Sequence, residues 1–225
     1  MGHSRLLKDF VFLARVLIEL LCKSAKSSSE TFPISNATLS NRNTVVRAIR
    51  IDSSLDKSIT EAANKKGLSF NLLVNQILTK YTEFDRVAEK LGFIGFAPSS
   101  LKNFLNLISN AEAETLGAVS GFSGHNAKQF ANMLVGRSDL EGFLETIKRM
   151  EKYVRAFTTE ISTKHGTYQV IMSHSLGVKW SHFLKGMMSA TLGEIYGVKA
   201  EFEMTENFLT TRFAIRHELE AASRI

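Results

Sequence analysis

Arg47 and Arg50 stand in the run Thr44-Val-Val-Arg-Ala-Ile-Arg-Ile51, and Lys65 and Lys66 precede Gly67-Leu-Ser-Phe-Asn71. Cations gathered in this way suit a polyanion, which they hold by charge and by hydrogen bonds to its oxygens. The gathering is local. Residues 42–80 hold Arg42, Arg47, Arg50, Lys57, Lys65, Lys66 and Lys80 against Asp52, Asp56 and Glu61, so this short segment supplies +4 of the chain's net +6. Residues 1–41 supply +2, and residues 81–225 hold sixteen cations and sixteen anions.

Other reactive side chains give no comparable pattern. His174 and His182, among the 6 histidines, have no carboxylate or cysteine beside them at metal-ligand spacing. The single cysteine, Cys22, can form neither an intrachain disulfide nor a multi-cysteine zinc site. Gly121-Phe-Ser-Gly124 follows no strand, so it reads as a helix break and not a phosphate loop. No nucleophile–base arrangement or carboxylate pair stands out. The expectation is no metal, no cofactor and no catalytic residue: not an enzyme. Trp180, Met187 and Met188 read as core. The lone cysteine fits a reducing, cytoplasmic setting. No apolar run reaches the length of about eighteen residues that a membrane span needs.

The elements that position the cations can be read in turn. Thr44–Ile51 is a strand by its β-branched content. Ser53, with Asp56 three residues on, forms a capping box, and Leu55, Ile59, Ala62 and Ala63 then share one helical face. Lys65 and Lys66 fall in that helix's last turn, with Gly67 at the left-handed position behind it. Ser69 caps a second helix carrying Leu72, Leu73, Ile77, Leu78 and Tyr81, continued by 85–91 and ended by Gly92, Gly95 and Pro98. A lone strand leaves unpaired amides and carbonyls on both edges. Pairing with the same strand of a second chain removes them.

Residues 46–55 (Val-Arg-Ala-Ile-Arg-Ile-Asp-Ser-Ser-Leu) and 65–74 (Lys-Lys-Gly-Leu-Ser-Phe-Asn-Leu-Leu-Val) together resemble the ribbon-helix-helix family of repressors, which includes Arc and MetJ. The resemblance covers 44–91. It implies a dimer whose two-stranded antiparallel ribbon enters the major groove of double-stranded DNA. If Ile49 and Ile51 face the core, Val46, Ala48 and Arg50 face outward. Arg50 can donate two hydrogen bonds to guanine, while Ala48 and Val46 offer only apolar contact with a thymine methyl. Family members usually carry more polar side chains on this face. Arg47 falls on the inner face near the strand start, from where it can bend to a phosphate. The family also binds phosphate at the start of the second helix, here Ser69, Phe70 and Asn71, with Lys65 and Lys66 adding charge nearby.

Residues 1–43 read as an apolar helix (6–22), with Arg15 and Glu19 inside it arguing against a secretory signal, then a Ser/Thr/Asn-rich linker. Residues 100–225 read as a separate, charge-balanced domain. Helices are expected around 101–108, 111–119, 126–135 and 139–163, the last opened by Ser138. A strand over 167–174, a helix over 178–196 and a hairpin of 199–204 with 208–215 follow. In that hairpin Ala200, Phe202 and Met204 face the core.

The expected fold is therefore α+β and mainly helical: a ribbon-helix-helix dimerisation unit, then a helix-rich domain ending in β-α-β-β. The expected function is a sequence-specific transcription regulator of repressor type, a homodimer or higher even oligomer. Residues 100–225 would take a small-molecule or protein effector. The alternative is the antitoxin half of a toxin–antitoxin pair, against which the length of the C-terminal domain argues.

Overall fold

The computed structural model describes residues 45–120 and 124–215. The helix expected over 6–22, the linker behind it and most of the Gly121–Gly124 break lie outside the described residues. The chain divides into two units between Arg86 and Val87. The fold is α+β, mainly helical, with one four-stranded antiparallel sheet.

In the unit of residues 45–86, residues 45–52 form no regular element within the single chain. Helix α1 (Ser53–Lys65) follows, and its cap differs from the expected capping box. Asp52, not Ser53, is the N-cap: its backbone is extended and its carboxylate accepts from the Ser54 amide at 2.8 Å. A carboxylate at that place accepts more strongly than a hydroxyl and complements the positive end of the helix. Gly67 takes φ +64, as expected of the residue behind the helix, and Leu68 N–H closes back on the Ala63 carbonyl. Helix α2 (Phe70–Lys80) is capped by Ser69, whose hydroxyl accepts from the Leu72 amide at 3.2 Å. A wide π turn (Tyr81–Asp85) then leads into α3 (Arg86–Lys90). The π turn brings Lys80 and Asp85, five residues apart, to 2.7 Å.

The unit of residues 87–215 begins with four helices: α4 (Pro98–Asn106), α5 (Asn110–Ala118), α6 (Gly124–Val135) and α7 (Leu140–Val154). Pro98 starts α4 at its first position, where a missing N–H costs nothing. Asp139, not Ser138, caps α7 by accepting from the Gly142 amide at 2.8 Å. The helix expected to reach Thr163 stops at Val154 because Arg155 turns left-handed at φ 59. Thr158–Lys164 is instead strand β1, paired with β2 (Thr167–Ser173) through the turn His165-Gly166. The ending is thus β-β-α-β-β, one strand more than expected.

Helix α8 (Val178–Tyr196) and the hairpin of β3 (Ala200–Met204) with β4 (Phe208–Ala214) complete the chain. The sheet order is β1-β2-β4-β3, all antiparallel. Its inner face carries Val170, Met172, Leu209 and Phe213, which form one core with Phe143, Leu144 and Ile147 of α7 and Leu184, Met188 and Leu192 of α8. Tyr168 stacks flat on its cross-strand partner Phe213, ring centres 5.3 Å apart. As expected, Ala200, Phe202 and Met204 pack on this core, and Trp180, Met187 and Met188 are buried in it.

Candidate nucleic-acid interface

The basic segment sits on exposed backbone. Val46, Arg47, Ala48 and Arg50 are all exposed, Val46 to 93%. Ile49, placed on the inner face by the alternation, is also 69% exposed, while Ile51 is partly buried. Lys65, Lys66, Ser69 and Asn71 are exposed and Phe70 is partly covered. The elements bring Lys65 and Lys66 to the end of α1 and Ser69, Phe70 and Asn71 to the start of α2, across the turn at Gly67. The amides of Phe70 and Asn71 belong to the first turn of α2, where a helix has no carbonyl to offer them.

Lys80 is held by Asp85, which withdraws one of the segment's cations. Arg47, Arg50, Lys57, Lys65 and Lys66 make no ion pair among the described residues. Asp52 is the nearest anion in sequence to Arg50. The Ser54 hydroxyl, then its amide, hold the Asp52 carboxyl below the usual carboxylate range.

The apolar side chains of this unit are mostly uncovered. Only Ala63, Leu73 and Phe84 of residues 45–86 are buried. Leu55, Leu72, Ile77, Leu78 and Tyr81, which share the expected helical faces, are 47–56% exposed, and Val45 joins Ile49 at 69%. Two well-capped helices thus present an apolar surface that the described residues of this unit leave uncovered.

Several titratable groups of residues 87–215 are engaged structurally. Ser181 is fully buried and donates its one hydroxyl proton to the Thr205 carbonyl at 2.6 Å. His174 Nε2, 3.0 Å from Ser181 Oγ, must therefore be the donor in that pair, and its Nδ1 accepts from the Leu176 amide. In this arrangement the imidazole donates to the serine and does not receive its proton. Burial holds the His174 imidazole below its usual value. His182 lies 3.1 Å from Glu114, which also takes Lys185 at 2.8 Å. Burial opposes ionisation of Glu114, but the bonds from Lys185 and His182 outweigh it and keep the carboxyl below its usual range. Among the described residues no group of three or more His, Cys, Asp and Glu is placed to hold a metal, and no helix is long and apolar enough to cross a membrane.

A groove of about 380 Å³ between the end of α8 and β3 is lined by Ser189, Gly193, Gly197, Lys199 and Phe202, among others. The sequence reading did not single it out. The signal was present as small residues at 189, 193 and 197, four apart on one side of a helix end. Comparison with family models, with curated proteins and with solved structures gives no match for this chain.

Proposed function

We propose that the protein is a dimeric, sequence-specific DNA-binding transcription regulator, with residues 45–86 as a ribbon-helix-helix unit. The observation that carries this reading is the half-core of that unit. Leu55, Leu72, Ile77, Leu78, Val45 and Ile49 stand exposed beside only three buried residues. Most of these are already about half covered, so burying the remainder of each gains roughly 1–2 kcal/mol, and a second copy of the same surface is the occupant we assign to it. Residues 45–52 then gain the strand partner that they lack among the described residues.

In that arrangement Arg50 carries base choice by a bidentate bond to guanine. Arg47, Lys65 and Lys66 and the first-turn amides at Phe70 and Asn71 hold phosphates. Val46 and Ala48 pack on the groove wall. Residues 87–215 serve as the effector or partner domain, and the groove at Lys199 and Phe202 has room for a small ligand. Selection of bound sequences from random duplex DNA with the full chain tests the reading. A recurring, two-fold symmetric motif is the expected result; recovery of unselected sequence overturns it.

A further inference from the structure

The sheet ends on β1 and β3, and the two edges offer a second strand different things. β3 presents Glu201 and Glu203, both exposed. Antiparallel pairing of β3 with its own copy, centred on Glu201, Phe202 or Glu203, sets glutamate opposite glutamate. Like charges directly opposite are destabilising, so this edge is protected against itself.

β1 is not protected in this way. His165 and Gly166, at φ 49 and 73, form a two-residue turn, which makes Lys164 and Thr167 the hydrogen-bonded pair beside it. Bonding alternates along an antiparallel pair. Lys164, Ser162, Glu160 and Thr158 therefore direct their amides and carbonyls to β2, while Thr159, Ile161 and Thr163 turn theirs to the open edge. The Lys148 ammonium already takes the Thr159 carbonyl, which leaves Ile161 and Thr163 as the open part among the described residues. Glu160, Ser162 and Lys164 are exposed on the outer face of the sheet.

We propose that β1 pairs antiparallel with β1 of a second copy about a two-fold axis at Ser162, joining two sheets into one. Only this register sets Glu160 of each chain opposite Lys164 of the other. The same register pairs Ile161 with Thr163 of the other copy, the residues whose backbone groups are open. It also covers Ile161, which is partly buried against the core of its own chain. Charge complementarity thus selects the second copy as occupant, and the two-fold closes this contact on two chains. This contact lies in residues 87–215 and does not depend on the ribbon reading.

The test uses the full chain with Cys22→Ser. Ser162→Cys in that background places two thiols at facing, non-hydrogen-bonded positions, with Cα atoms about 4.5 Å apart, which a disulfide spans. Mild oxidation is expected to give a covalent dimer of most of the chain. Glu160→Cys and Lys164→Cys, each with Cys22→Ser, are expected to link to each other when mixed but not to themselves, since each sits about 13 Å from its own copy. Adding Glu160→Lys to Ser162→Cys should cut the yield of linked dimer roughly fivefold through opposed like charges, and adding Lys164→Glu as well should restore it. No linked species from Ser162→Cys, self-linking by Glu160→Cys alone, or failure of the reversed charges to restore the yield each overturns the proposal. The linking is expected whether or not selection from random DNA yields a motif, so the two readings fail separately.

Discussion

Arg50 is the long hydrogen-bonding side chain on the outward alternation of residues 46–50, and it is exposed with no ion pair among the described residues. Val46 and Ala48 lack donors and cannot tell guanine from adenine. Arg50→Ala should therefore cost about 1–3 kcal/mol on the preferred duplex and less on random DNA, with the fold intact. Titration on both duplexes checks this, and equal losses would reduce Arg50 to a phosphate contact. Ile49→Ala should instead weaken the proposed dimer, because its exposed side chain belongs to the surface assigned there to a second copy. His174 makes a prediction of another kind. Its neutral form donates to Ser181 and accepts from Leu176, tying the end of β2 to the start of α8. Burial lowers its folded-state pKa below the ordinary 6.5, so the unfolded chain binds the proton first as pH falls. The stabilisation is complete above about pH 6.5 and is lost as pH falls through the lower, folded value. Urea midpoints from pH 8 to 5 should drop more in the native chain than in His174→Gln; parallel curves would exclude this linkage.

At the scale of elements, what could be read from the sequence depended on how each helix announces its ends. Gly67 and Ser69 are signals of the ordinary kind, and both stand where expected. Helix α8 was legible over its whole length because Gly177 and Gly197 bracket an apolar run. The end of α7 was not. Its stop is Arg155 in a left-handed conformation that glycine usually occupies, and the apolar spacing runs on past it. Strand β1 was lost with that error, since Thr-Thr-Glu-Ile-Ser-Thr-Lys is too polar to stand out. The packing of α5 against α8 was equally hidden. A Cβ on Gly186 would lie 1.9 Å from the Glu114 carbonyl oxygen, and one on Gly117 as close to that of Phe183. Both contacts are with backbone, which cannot swing aside. Gly186→Ala should therefore destabilise the chain by roughly 3 kcal/mol, even though alanine favours helix by about 1. Gly193→Ala, on the same helix with nothing within 4 Å, should stabilise by roughly 0.5–1 kcal/mol. Thermal or urea unfolding of the two variants gives the comparison. Equal signs would mean that the helices separate easily.

Among the described residues, the basic excess and the denser share of exposed large apolar side chains fall in the same small unit: eight such side chains stand in residues 45–86 and eight in the far longer 87–215. Residues 45–86 combine exposed cations with an uncovered apolar surface, whereas residues 87–215 bury a core of their own and carry balanced charge over 81–225. If two copies close over the apolar surface, their cations are pooled on one assembly. Arg47, Arg50, Lys57, Lys65 and Lys66 are free of ion pairs among the described residues, and two chains present ten such groups. Each phosphate neutralised contributes about −0.9 to the slope of log affinity against log salt, so the slope is bounded near about −9. Geometry makes it shallower, because Lys57 lies in the middle of α1, away from the helix end where Lys65 and Lys66 sit. A slope of about −4 to −7 is expected, from two to four contacts per chain. Lys65→Ala with Lys66→Ala should flatten it by up to about 4 across the dimer and weaken all duplexes alike. Arg50→Ala should flatten it less while narrowing the gap between specific and random DNA. Binding titrations from 50 to 300 mM salt separate these roles. A slope near zero for the native chain would remove the electrostatic mode, and with it the reason to assign this face to nucleic acid.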